Sequence, residues 1–393
     1  MKILRLATVV LLSGAGAAPV DTEETQTLLE TDALVAQGVL NLRSYSAKHG
    51  YPNPQTCTLK NVAVRREWST FTTREKKNYI AAVQCISKKP SQTPSTLASG
   101  AKTRYDDFVA THINQTMSIH GTGNFLSWHR YFTWAYEQTL RTECGYTGFQ
   151  PYYSWPRWSN DPAKSPVFDG SETSISGDGE LIAGRNNTCI PAQEYCAISL
   201  PPGNGGGCVK SGPFKNFTVN LGPVTPVVAD PVLNPDSNGL GYNPRCLRRD
   251  ISKAAAQGWT KDSDVVSLLK NSANFLNFTT TMQGDFPNGF LGVHTSGHFT
   301  IGGDPGGDLF ASPADPAFYL HHAMIDRVYW TWQNLNLQNR LYEIGGTITL
   351  NDQPPSRNTT LEDTIGLGFV GFPDLTIREA SSTLAGPFCY IYA

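Results

Sequence analysis

Asp315-Pro316-Ala317-Phe318-Tyr319-Leu320-His321-His322-Ala323-Met324-Ile325-Asp326-Arg327 is the stretch of the chain that carries most information about its fold. Proline suits the first turn of a helix, where its missing N–H is not needed, and the pattern predicts a helix from here to about Asn334. On such a helix Phe318, His322, Ile325 and Asp326 share one face. His321 is rotated away by about 100°. An apolar face is a costly place for a titrating ring unless a ligand or a hydrogen bond satisfies it. His322 therefore reads as a ligand, and His321 as its neighbour.

Outward from this helix, seven of the eight histidines fall in two windows, and only His49 stands apart. One window is His112-x7-His120-x8-His129; the other is His294-x3-His298 followed by His321-His322. His294 and His298 lie one turn apart, so both rings can face one metal ion. His129 shares a stripe with Phe132, Tyr136 and Leu140 on a predicted helix over about Leu126–Glu143. Imidazole donors suit copper, zinc, iron and nickel, whereas magnesium and calcium want oxygen. A hydrolytic zinc site usually brings a HExxH motif or carboxylate ligands, and neither is present. Three histidines per ion make a reasonable copper site, and two such sites on facing helices would be close enough to share dioxygen.

Charge and targeting signals narrow the setting. The net charge is −2 with no basic run, which argues against a nucleic-acid footprint or an anionic membrane surface. Lys2 and Arg5, the apolar Leu6–Leu12 and Ala15-Gly16-Ala17 predict a signal peptide over residues 1–17. Eight cysteines with no CxxC pair (Cys57, Cys85, Cys144, Cys189, Cys196, Cys208, Cys246, Cys389) predict disulfides in an oxidising compartment, their pairing open. Sequons for N-linked glycans stand at Asn114, Asn186, Asn216, Asn277 and Asn358. Together these predict a secreted, extracellular glycoprotein.

The expected fold is mainly α: a central four-helix bundle, surrounded by long loops and a few short strands and stabilised by disulfides. Thr72 and Glu75 form a capping box that opens one helix. Further helices are expected over Arg104–Thr116, near Asp262–Phe275, and in a short segment carrying His294 and His298. Residues 160–250, rich in glycine, proline and cysteine, read as a disulfide-pinned excursion. Beyond the last helix a strand-like tail is expected, including Thr347–Leu350 and Phe388–Tyr392.

Two segments, Phe125-Leu126-Ser127-Trp128-His129-Arg130-Tyr131-Phe132 and Asp315–Arg327, resemble the type 3 dicopper family of tyrosinases, catechol oxidases and hemocyanins. Within it the chain looks most like short secreted fungal polyphenol oxidases. Pro151-Tyr152-Tyr153-Ser154-Trp155 is similar to the family's aromatic motif after the first copper segment. The resemblance implies two copper ions, with dioxygen bound as peroxide in turnover. His112, His120 and His129 would hold CuA, and His294, His298 and His322 would hold CuB. The family places its last ligand four residues before the aspartate, which again selects His322. His321 would sit beside the site, and Asp326 would be an acceptor orienting the helix or an imidazole.

The resemblance also implies the chemistry: oxidation of o-diphenols, and of o-aminophenols, to quinones or quinone imines, with dioxygen reduced to water. Many relatives carry a cysteine, thioether-linked to the second CuA histidine, where this chain has Ser118, so no crosslink is expected. Some tyrosine-hydroxylating relatives place asparagine after the first CuB histidine and a glutamate upstream. Here Thr295 stands after His294, with Gln283 and Asp285 upstream, which points to weak monophenol hydroxylation at most. Leu309, in the Gly302–Phe310 loop, is the candidate substrate gate. Residues 18–393 are expected to form one catalytic domain without a C-terminal shielding domain, since 71 residues follow His322. The alternatives are a full tyrosinase, a hemocyanin-like dioxygen carrier and, outside the family, a zinc hydrolase. Expected partners are small phenols and dioxygen, with no nucleic acid and no membrane.

Overall fold

The computed structural model describes residues 28–393 apart from 193 and 229; the expected signal peptide lies outside the described residues. Its helices up to residue 335, in chain order, are α1 (Glu30–His49), α2 (Thr73–Ile86), α3 (Arg104–Ile119), α4 (Phe125–Cys144), α5 (Trp155–Trp158), α6 (Lys253–Trp259), α7 (Asp262–Asn271), α8 (Phe275–Gln283), α9 (Gly292–Ile301) and α10 (Ala317–Leu335). The centre is α10. Every residue from Ala317 to Asn334 is buried, so this helix is enclosed on all sides and not only along the face legible in its sequence. Helices α1, α4 and α9 pack around it, and α3 lies against α4. The bundle that carries all six candidate ligands is thus α3, α4, α9 and α10, as the fold class requires.

Local chemistry sets the helix ends. The Thr72/Glu75 capping box opens α2, and a second box, Thr103 with Asp106, opens α3. Asp315 holds the start of α10: its carboxylate accepts the Ala317 N–H at 2.8 Å and pairs with both arms of the buried Arg249 guanidinium. Helix α9 begins at Gly292, whose φ is +68° and whose missing Cβ leaves room for the Met282 and Thr281 carbonyls of α8. The helix expected near Asp262–Phe275 is α7, which ends at Asn271 because the chain turns extended at Ser272; Asn274 then caps a separate helix, α8, by accepting the Asn277 N–H.

Residues 160–250 carry short paired strands and two disulfides, Cys189–Cys196 and Cys208–Cys246. This excursion braces the loop after α9. Arg245 grips Asp304 through two bonds of 2.6 and 2.7 Å, and Asp308 accepts the N–H groups of Val224, Thr225, Phe310 and Ala311. Cys85–Cys144 ties α2 to α4, and Cys57–Cys389 joins the two ends of the described chain. The final strand Tyr390–Tyr392 pairs in parallel with Ala63–Arg65. The strand expected at Thr347–Leu350 is absent: Thr347 makes one isolated bridge to Asn358, and Leu350–Asp352 is a 3-10 turn. Thr349 and Thr347 instead use their hydroxyls on nearby backbone oxygens, as turn-forming threonines do.

Candidate metal centre

Six of the seven clustered histidines come from four helices and one extended residue. His112 lies on α3, His129 on α4, His294 and His298 on α9, and His322 on α10. His120 is the residue after α3, where the backbone becomes extended and swings the ring back toward His112. Ring nitrogens of His112, His120 and His129 lie within 4.8 Å of one another. A second group of nitrogens within the same distance comes from His294, His298, His321 and His322. The groups touch: the His129 and His322 rings stack with centroids 4.5 Å apart.

Hydrogen bonds define the first triad. His112 Nδ1–H donates to the Phe310 carbonyl at 2.7 Å, His120 to Thr116 at 3.0 Å and His129 to Phe125 at 2.8 Å. A carbonyl only accepts, so each Nδ1 carries the proton and each Nε2 keeps a lone pair. The Nε2 atoms of His112 and His129 are buried without any protein partner. In the second triad His298 Nε2 lies 3.2 Å from His294 Nε2 and 3.1 Å from His322 Nε2. One proton cannot serve both contacts. That spacing suits three imidazoles around one ion with bonds of about 2.0 Å.

His321 differs from its neighbours. The Trp155 indole N–H donates to His321 Nδ1 at 3.0 Å, which uses that lone pair and leaves the proton on Nε2. Its ring lies where a Cβ on residue 297 would be, so Gly297 between His294 and His298 makes room for it. His321 thus packs against α9 with its Nδ1 lone pair engaged by Trp155. Trp155 stood in the sequence as part of an aromatic motif, but its tie to His321 spans 166 residues and left no local trace.

Burial is the main force on the ionisation of these rings. It holds His120 down to about 4 and His298 to about 3, and keeps His112, His129, His294 and His322 well below the ordinary histidine range, with mutual repulsion adding to it. The rings are neutral Lewis bases at pH 7. Buried, unpartnered imidazole nitrogens with no carboxylate among them fit copper, and two such groups fit two ions.

Asp326 lies one turn beyond His322 and bonds no imidazole among the described residues. It accepts Arg130 at 2.6 Å, Arg65 at 3.4 Å and the Tyr390 and Tyr392 hydroxyls at 2.6 and 2.7 Å. Burial alone would raise its pKa, but the two arginines and two hydroxyls hold it below the usual carboxylate range. It therefore orients helices, tying α10 to α4 and the final strand. Ser118 is exposed and donates to the Gln115 carbonyl, and all eight cysteines are in disulfides, so no thioether forms at His120.

A cleft of about 750 Å³ opens onto both triads through His120 and His294. Leu309, 40% exposed, stands on its wall, as do Gln283, Asp285 and Thr295. Gln283 joins the two copper-facing segments: its Oε1 accepts the Gly121 N–H at 2.8 Å, and its carbonyl accepts the Thr295 hydroxyl at 2.6 Å. That clip was not legible in the sequence, where Gln283 was only a polar residue upstream of His294.

Residues 102–335, which contain all six candidate ligands, match the common central domain of tyrosinase. The tyrosinase-like protein orsC of Emericella nidulans is 42% identical over 323 residues, covering 80% of this chain and 85% of its own. The N-acetyl-6-hydroxytryptophan oxidase ivoB of the same organism is 36% identical over 355 residues, covering 87% and 95%. A solved structure of a mutant polyphenol oxidase from Thermothelomyces thermophila is 40% identical, covers 93% of this chain and 98% of its own, and superposes with a TM-score of 0.86. The chain belongs to the tyrosinase family, and is a dicopper oxidoreductase of phenols.

Proposed function

We propose that this chain is a catechol-type oxidase that turns o-diphenols into o-quinones and o-aminophenols into quinone imines. In this reading His112, His120 and His129 hold CuA, and His294, His298 and His322 hold CuB. When bound, the copper pair supplies the one-electron steps through which dioxygen takes up four electrons. The balance is two diphenols and one dioxygen to two quinones and two waters, each diphenol losing two electrons and two protons.

The observation that carries the proposal is the cleft reaching one histidine of each triad. A phenol there meets both metal sites, which supports turnover over reversible carriage of dioxygen. Its lining also supports diphenols over monophenols. Thr295 is an alcohol already donating to Gln283, Gln283 is an amide, and Asp285, bonded by the Asn288 side chain, is the single carboxylate of the lining among the described residues. A monophenol must lose its proton before it can be hydroxylated, and that wall offers one modest base for the task.

Weaker hydroxylation of monophenols is a second reading, favoured by the relative named for a hydroxytryptophan, whose indole carries one phenolic hydroxyl. The setting proposed is extracellular, with residues 1–17 removed and residues 18–393 acting as one catalytic domain. The four disulfides support it, as does the exposure of Asn114, Asn186, Asn216, Asn277 and Asn358, the sites proposed for glycans. Among the described residues no helix is long and apolar enough to cross a membrane.

Oxygen uptake by copper-loaded protein on catechol, 2-aminophenol, tyrosine and guaiacol tests the assignment. Fast uptake on the first two and slow uptake on tyrosine is expected. A chain with two coppers that leaves catechol untouched would overturn it.

A further inference from the structure

We propose that the cleft selects neutral polyphenols of two or more rings over single-ring phenols and amino-acid phenols. The inference rests on the oxidase reading and concerns the same site. Size is the first observation. At about 750 Å³ the cleft lies within the span of about 300–1,000 Å³ that takes drug-sized ligands, far more than one catechol ring fills.

Charge is the second. Among the described residues no lysine or arginine lines the cleft, and the one carboxylate there, Asp285, already accepts the Asn288 amide at 2.7 Å. A carboxylate on the substrate would leave water for a wall without a cation, at a cost that no partner offsets.

The third observation is the division of the lining into two kinds. Leu276, Phe286, Pro287, Phe290, Leu309 and Leu350 form an apolar wall, with Leu276 47% exposed and Leu309 40% exposed. Large apolar side chains left open around a cleft mark a surface that a ligand covers. The polar part includes three hydroxyls whose protons are engaged inside the protein. Thr122 donates to Asn124 Oδ1 at 2.6 Å, Thr295 to the Gln283 carbonyl at 2.6 Å, and Thr280 to the Leu276 carbonyl. Such oxygens keep lone pairs and can accept. The complement of this surface is a flat, uncharged molecule with an apolar face and additional hydroxyl donors beyond the pair that is oxidised. Covering a second aromatic ring on the apolar wall corresponds to about a ten- to hundredfold gain in kcat/KM.

The test measures kcat/KM for 4-phenylcatechol, catechol and L-3,4-dihydroxyphenylalanine on protein carrying two coppers per chain. The expected order places 4-phenylcatechol at least about tenfold above catechol, through KM, with the amino acid below catechol. Leu276→Asp, on the exposed rim and checked for copper content, should reduce the phenylcatechol-to-catechol ratio. Leu276→Lys should raise the dihydroxyphenylalanine-to-catechol ratio by giving the carboxylate a cation. Catechol oxidised as well as 4-phenylcatechol, or ratios unmoved in both variants, would overturn the selectivity and leave the oxidase reading standing. No oxidation of any of the three by dicopper protein would overturn both.

Discussion

The two histidine triads solve one problem in different ways. Every ring of the first is held by an Nδ1–H bond to a backbone carbonyl, from Phe310, Thr116 or Phe125. In the second, the Nδ1 atoms of His294 and His322 have no partner. There, among the described residues, only His298 has a backbone partner, at Gly306, and the other two rings are held by helix geometry and packing: His322 lies between Phe318, with centroids 4.1 Å apart, and His129, and His294 meets the edge of Phe125 at 4.8 Å. Single side-chain substitutions cannot delete a backbone carbonyl, but they can delete a stacking ring. The first triad should therefore tolerate changes around it better than the second.

The largest break in that comparison is His298→Ala, which removes the nitrogen that both other rings of the second triad face. Metal analysis should find about one copper per chain in place of two, with nearly all oxygen uptake lost. Full activity with two coppers would refute the ligand assignment. Next is Phe318→Ala, which should cost about 3–5 kcal/mol in chemical denaturation. Copper should leave the second triad first, although Phe318 also edges His112 at 5.5 Å; equal loss from both sites would mean the two are not held differently.

The metal-free protein gives a pH test. The buried histidines have folded-state values below the ordinary 6.5, about 4 for His120 and about 3 for His298, so the unfolded chain binds protons first as pH falls. Stability is fully present above about pH 6.5 and declines toward pH 4, at about 1.4 kcal/mol per pH unit for each proton the unfolded state holds in excess. Urea midpoints of apo protein should drop between pH 7 and pH 5, and a flat profile would contradict the buried neutral rings.

Trp155→Phe is a gentler probe. It frees the His321 lone pair beside His298 and should lower copper affinity about 10–100-fold at the second triad alone, as seen in competition with a chelator. The smallest effect is expected at Ser118→Ala, exposed near the first triad, where stability should change by less than about 0.5 kcal/mol and copper content not at all.

Much of the site was open to reading because its local parts are helical. A turn of 3.6 residues places His294 over His298, and sets His322 apart from His321, before any fold is known. The α2 capping box is similarly local. Helix α1 escaped notice because its buried positions, Val35, Gly38 and Leu42, are sparse and interrupted by Gln37 and Asn41; it forms by docking on α10, where Gly38 meets Trp330 and Asn334. The threonine-rich segment at Thr347–Leu350 looked like a strand, but no partner strand lies beside it, and β propensity needs a neighbour to act.

Helical spacing within the two histidine windows, with the family resemblance, was sufficient to point to a dicopper centre in a helical core, because each window sets residues a few positions apart on one helix face. Which rings are hydrogen-bonded, and by what, was decided only by tertiary structure. The Phe310 carbonyl reaches His112 across 198 residues, Gln283 reaches Gly121 across 162, and Trp155 reaches His321 across 166. Two of the three lone pairs involved belong to backbone or amide oxygens, groups that almost every residue carries and that no pattern singles out. The cleft is likewise assembled from α8, the loop after α9 and the turns near residue 350, so its size and its missing cation exist only once those segments meet.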